Sequence, residues 1–120
     1  MLEKYYFVDK NKQVLTLLLK FVKMNIYYAY LLNSGFILEI GDCAIIFDYY
    51  QDEKNIVDKI IQDKKEVYFF VSHVHYDHFN PKISEFKDKV TKYFISYDVV
   101  TDVLPKEKTI ILDEYMTYDD

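Results

Sequence analysis

Tryptophan is absent from the chain, cysteine occurs once, and glycine and proline occur twice each. The single cysteine, Cys43, excludes an intrachain disulfide, so a reducing compartment is the default expectation. It sits in the apolar run Cys43-Ala44-Ile45-Ile46-Phe47 and reads as a small buried hydrophobe. No low-complexity linker or internal repeat divides the chain, and 120 residues give room for one domain and not comfortably two. A long hydrophobic run is also missing. The nearest to one, residues 14–22 (VLTLLLKFV), is about half the roughly 20 residues that span a bilayer, and Lys20 interrupts it. A secretory signal is disfavoured because Glu3 and Asp9 precede that run and no small-residue cleavage site follows. The net charge is −5 and no basic run is present, which argues against a nucleic-acid partner. These exclusions leave a cytoplasmic protein with no membrane or nucleic-acid partner. Anionic substrates stay open, because a bound dication inverts the local potential.

What is present is apolar and aromatic. About half the residues are hydrophobic, enough for a real core, and 13 Tyr with 9 Phe favour strands. Residues 1–23 are the least patterned: 4–8 reads as a short strand, and positions 14, 15, 18, 21 and 22 follow helical spacing. Met24 stands just before a much stronger pattern. The expected organisation is therefore an N-terminal extension over 1–23 and a domain over 24–120, with Met24 as the true start.

From there the chain reads as a β-meander. Strands are predicted over 26–32, 36–40 and 43–49, with a turn at Asn33-Ser34-Gly35 in which Gly35 takes positive φ, and another at Gly41-Asp42. Residues 51–65 shift to helical period through Ile56, Val57, Ile60 and Ile61, with Asp52 as N-cap. The continuous apolar run 67–71 predicts a strand buried on both faces, and the helix between strands predicts a parallel pair. Asn80 and Pro81 open a predicted helix over 82–90. A buried strand over 93–96, a short helix over 99–104, a last strand over 109–112 and an acidic tail over 113–120 complete an α/β reading.

All three histidines fall within six residues, as His73-Val74-His75-Tyr76-Asp77-His78, straight after the buried run. Active sites of α/β sheets collect at such strand ends. Alternation places His73 and His75 on one side of an extended segment, and a turn through Tyr76 lets Asp77 and His78 face a second position. Imidazole and carboxylate suit Zn²⁺, Mn²⁺ or Fe. Two metals about 3.5–4 Å apart share and acidify a bridging water. The spacing fits His73 and His75 on one metal and Asp77 and His78 on the other. Gathering of His73, His75 and His78 on one metal is the alternative.

Three stretches carry a resemblance: Asn33-Ser34-Gly35-Phe36-Ile37-Leu38-Glu39, Ile46-Phe47-Asp48, and Val71-Ser72-His73-Val74-His75-Tyr76-Asp77-His78-Phe79-Asn80-Pro81. Together they resemble the start of a metallo-β-lactamase-superfamily hydrolase, similar in style to the bacterial ascorbate-phosphate lactonase-type proteins. The resemblance runs from about residue 26 to about residue 113 and is specific at 71–81. It implies an αββα sandwich with a dinuclear, usually zinc, site at the sheet edge. It assigns His73 and His75 to the first metal and Asp77 and His78 to the second, with Asp77 also the expected catalytic group. Asp48 matches a family aspartate that supports the loop from behind the ligands.

That family completes its site with a further His, a bridging Asp and often a last His. No His follows His78, and Asp88, Asp98, Asp102, Asp113, Asp119 and Asp120 lie in no recognisable ligand motif. The family fold also has two similar halves. The expectation is a truncated N-terminal half, whose bare sheet face (66–71 and the 26–49 meander) invites self-association. The functional expectation is a metal-dependent hydrolase acting on an ester, lactone, amide or phosphoester bond. The alternatives are a non-catalytic metal-binding remnant, or half-site needing a partner chain, and an α/β scaffold whose histidines are incidental. Intact-mass analysis of the native protein should find an N-terminus at Met24; one at Met1 removes the extension reading.

Overall fold

The computed structural model describes residues 26–113; the expectations for 1–23 and 114–120 lie outside the described residues. Six strands line up in sequence order: β1 (Ile26–Tyr30), β2 (Phe36–Ile40), β3 (Cys43–Phe47), β4 (Glu66–Val71), β5 (Lys92–Ser96) and β6 (Thr109–Leu112). The first three pair antiparallel, as the meander predicted, and β3 to β6 pair parallel. Helix α1 (Ile56–Ile61) makes the crossover from β3 to β4. The domain is therefore mixed α/β, with one six-stranded sheet and little helix among the described residues. No helix among them is long and apolar enough to cross a membrane.

The meander is set by two tight turns. In the first, the Leu31 N–H donates to the Gly35 carbonyl and the Gly35 N–H to the Leu32 carbonyl, both at 2.8 Å. The left-handed residue is Asn33, at φ 53°, and not Gly35 as expected. Asn tolerates that region because its short amide hydrogen-bonds locally. Glycine is needed at 35 for closeness: a Cβ there would stand 2.8 Å from the Asp48 carbonyl oxygen. At the second turn Gly41 does take positive φ, 58°.

The crossovers are less helical than their periodicity suggested. The expected 51–65 helix shrinks to six residues because Asn55, at φ 54°, breaks the chain path before Ile56. Asp52 still caps it, its carboxylate accepting the N–H groups of Ile56 at 2.8 Å and Val57 at 2.7 Å. Asn80 caps the next segment as expected, accepting from Lys82 N–H, but Pro81–Phe86 is a 3-10 helix, followed by turns. No helix occupies 99–104; Val99 N–H closes a turn on the Ser96 carbonyl, and a 3-10 turn, Lys106–Lys108, follows Pro105. These connections join strands already adjacent in the sheet, so a few anchored side chains suffice.

One sheet face holds most of the core. Ala44, Ile46, Val67, Phe69, Tyr93 and Ile95 pack against Val57, Ile61, Ile83 and Phe86. The Tyr93 hydroxyl donates to the Ile83 carbonyl at 2.7 Å, and burial pushes it well above the usual phenol range. Burial first, then the charge of Asp52, raises Tyr49 to about 12. The other face carries a row of stacked rings across four strands: Phe36–Phe47 at 4.6 Å, Phe47–Phe70 at 5.3 Å and Phe70–Phe94 at 4.7 Å between centroids. On β4, Val67, Phe69 and Val71 are buried while Tyr68 and Phe70 are half-buried. That corrects two expectations: the strand is fully buried on one face only, and within 66–71 only Glu66 is exposed. Cys43 is likewise half-buried, not buried; burial first, then Glu66, raises its thiol pKa.

Gly35→Ala forces its methyl against the Asp48 backbone. It should cost about 1–3 kcal/mol in urea unfolding, the usual range for overpacking a tight site; an unchanged midpoint would show that the turn gives way freely.

Candidate functional site

Parallel pairing brings the C-terminal ends of β3, β4 and β5 side by side. Phe47 registers with Phe70, and the next residue, Asp48, donates its N–H to the Phe70 carbonyl at 2.8 Å. Asp48 is buried at 8% exposure and stands in the left-handed region at φ 45°. Its Oδ1 accepts the Ser72 N–H at 2.7 Å, and its Oδ2 accepts the Ser72 hydroxyl at 2.6 Å. The same Oδ2 lies 2.9 Å from His78 Nδ1. A carboxylate only accepts, so it assigns the proton to Nδ1 and leaves Nε2 as the lone-pair nitrogen. The Asp77 Oδ1 is 3.7 Å from that Nε2.

The loop is closed by a turn in which the N–H groups of His78 and Phe79 both donate to the His75 carbonyl at 2.9 Å. Its far end is tied down by Asn80, whose Nδ2 donates to the Tyr50 carbonyl at 2.6 Å, and by the Tyr50–Tyr76 ring contact at 5.8 Å. The chain bends at Val74 and His75, so simple strand alternation does not govern the rings. The His73 ring stands 4.9 Å from His78 and 6.3 Å from His75, centroid to centroid. The structure thus brings His73 towards His78 and leaves His75 further out. His73 and His75 are exposed, whereas the His78 side chain is 17% exposed.

These distances can be tested against a bound ion. Two imidazoles on one tetrahedral zinc, with Zn–N of about 2.0–2.1 Å, have centroids roughly 5 Å apart. The His73–His78 pair fits that spacing and His75 does not. Among the described residues, no three His, Cys, Asp or Glu side chains form a group able to hold a metal ion. The donor chemistry and the anchored His78 fit a cation; the arrangement is an open pair, not a closed cage.

Two residues escaped the sequence reading. Ser72 joins the loop to Asp48, and its place directly before His73 was the available signal. Asp98, just past β5, accepts from the Val74 N–H through Oδ2 at a long 3.4 Å. Its Oδ1 is shielded from solvent and has no hydrogen-bond partner of ordinary geometry. The Ser96 side chain first, then the Val74 amide and His73, hold this carboxyl below the usual carboxylate range. Beside Asp48 and Ser72 lies a cleft of about 390 Å³ walled by Phe47, Phe70, Tyr97 and Leu112.

Neither family models, curated proteins nor solved structures match this chain. The fold and site define its class by themselves: a mixed α/β domain with a histidine–carboxylate loop at the C-terminal end of a parallel strand.

Asp48→Asn keeps the shape and tolerates positive φ but removes the charge that three donors share. A loss of about 1.5–3 kcal/mol is expected, the range for hydrogen bonds to charged groups, with faster hydrogen exchange at the Ser72 amide. Unchanged exchange would mean that the carboxylate does not hold the loop.

Proposed function

We propose that the protein is a metal-dependent hydrolase of the metallo-β-lactamase type, acting on an ester, lactone, amide or phosphoester bond of a small molecule in the cytoplasm. The observation that carries the reading is the buried Asp48 carboxylate set 2.9 Å from His78 Nδ1. A carboxylate behind an imidazole fixes the tautomer and raises the basicity of the outward nitrogen, the usual support of a metal-ligating histidine. His73, His75, Asp77 and His78 are the side chains that would hold the ions, His75 after moving closer to His73 than the 6.3 Å at which its ring stands. The donor set suits zinc, with Mn²⁺ or Fe as other fits. A divalent ion bound there would supply Lewis acidity and an acidified water as nucleophile near neutral pH. In this reading Asp77, partly exposed and with its Oδ1 3.7 Å from His78 Nε2, would take up a proton as a bond is attacked. The cleft of apolar walls beside Ser72 gives the non-reacting part of a substrate a place to lie. In this reading the row of stacked phenylalanines is the surface on which the second sheet of an αββα sandwich would pack.

One observation favours a second reading. No three donors among the described residues converge, which suits a half-site whose remaining ligands come from elsewhere. Zinc uptake by equilibrium dialysis, with elemental analysis, tests both. Asp48→Asn should weaken zinc binding by about 10–100-fold, as loss of such a supporting carboxylate does, and His78→Ala should weaken it more. Turnover of a chromogenic ester, phosphodiester or cephalosporin supports the hydrolase. Zinc uptake with no turnover selects the half-site, and no uptake removes both readings.

A further inference from the structure

We infer that the apolar run 14–22 of this chain covers the second sheet face, the one that carries the ring row, over β1 and β2. The inference stands apart from the metal reading. It gives that face to the chain's own start, where the hydrolase reading gives it to a second sheet. Ile26 of β1 is 1% exposed and Leu38 of β2 is 4% exposed, and both cluster on this face with Ile40, Ile45 and Phe47. β1 is an edge strand, so Ile26 has a sheet neighbour on one side only. The described helical segments that pack on the sheet, α1 and Pro81–Phe86, do so on the opposite face. The described strands and helices therefore do not account for an edge side chain so fully shut off from water. Alternation puts Tyr30 on the same face of the same strand, yet it is 63% exposed. The shielding lies at the end where the chain enters β1. Tyr28, Phe36, Tyr68 and Phe94, which alternate onto this face, each take part in a further interaction besides the ring pairs within the sheet.

The chain before β1 is long enough for this role and has the right chemistry. Three residues separate the run 14–22 from Ile26, so it reaches the sheet at the shielded end. Positions 14, 15, 18, 21 and 22 follow helical spacing, with Lys20 off the stripe. In helical form such a run turns its apolar stripe to a sheet and its lysine to water. Its nine residues would be about 14 Å long and about 10 Å wide, enough to cover two neighbouring short strands. Phe47 and Phe70, further across the sheet, are only half-buried, as a cover of that width predicts. The stretch 114–120 is a poorer occupant, because Glu114, Asp119 and Asp120 would bring carboxylates onto an apolar face. On this inference residues 1–23 belong to the domain, and the extension reading of them falls.

Cys43 is a reporter already in place. It pairs with Ile40 on this face, at the same end as Ile26, and is the chain's only thiol. In the full chain, Leu18→Asp should speed its labelling by an aromatic disulfide by about tenfold or more, the effect of losing one buried leucine from a local cover. The labelling rate should not depend on chain concentration, and Lys20→Glu, off the stripe, should label as the parent does. Hydrogen exchange at the β4 amides should rise less than the labelling, which separates uncovering from global unfolding. Parental labelling in Leu18→Asp overturns the inference. Protection that grows with chain concentration also overturns it and assigns the face to a second copy. Should Leu18→Asp unfold, a spin label on Lys20→Cys in a Cys43→Ser background decides. Stronger broadening of the Leu38 and Ile45 methyl signals than of those of Val57 and Ile83 supports the inference. Equal or absent broadening overturns it, as does the same broadening between spin-labelled and isotope-labelled chains that are mixed. None of these outcomes touches the metal reading, which zinc uptake tests.

Discussion

The carboxylate of Asp48 is the interaction on which the rest of the site depends. It is buried, and a buried charge is tolerated only when its lone pairs are occupied. Here Ser72 gives it an N–H and an O–H, and His78 gives it an imidazole nitrogen. The three contacts join the end of β3 to the start of the loop and to its last histidine. Asp48 can reach them because its backbone turns left-handed directly after β3. That path is crowded from behind by the first hairpin, where Gly35 leaves no room for a Cβ. A tight turn far from the histidines in sequence thus packs directly against the residue that anchors His78.

This dependence explains why the loop is uneven. His78 is anchored and largely shielded, while His73 and His75 are exposed. The bends at Val74 and His75 swing His73 towards His78, so the pairing of rings follows the turn and not strand alternation. A split of ligands between His73–His75 and Asp77–His78 would need His75 to come closer to His73 than it stands. The geometry is nearer to one imidazole pair with carboxylates beside it.

Much of the fold was legible because apolar runs and turn residues are local signals. The meander, the crossover helix and the parallel strand after it follow from Phe36 to Ile40, from Gly41 and from Ile56 to Ile61 read in order. Lengths were not legible. Asn55 in a left-handed conformation and Asn33 taking the role expected of Gly35 are decided by tertiary closeness, which periodicity does not carry. The same limit applies to the site. The cluster His73-His75-Asp77-His78 was visible in the sequence as a motif, and the support of Asp48 only through the resemblance that Ile46-Phe47-Asp48 carries. Asp98 was visible only as one aspartate among several after His78. Which of them meets the loop depends on β5 lying next to β4 in parallel register.

The distribution of charge along the sheet says more than the net value of −5. Lys64 and Lys65 precede β4, Lys92 opens β5, and Lys106 and Lys108 precede β6, so cations gather where the parallel strands begin. At the other end, aspartates follow the strands in turn: Asp48 after β3, Asp77 in the loop after β4, Asp98 after β5 and Asp113 after β6. The chain has no arginine to neutralise that edge by a bidentate pair. An edge that concentrates carboxylates beside imidazoles has one natural complement, a cation. Repulsion among the carboxylates would be relieved by its binding and would return on its loss. Such an edge would attract a metal ion before it attracted an anionic substrate. Affinity for any anion would then follow occupation by the ion, since the ion reverses the sign of the local field.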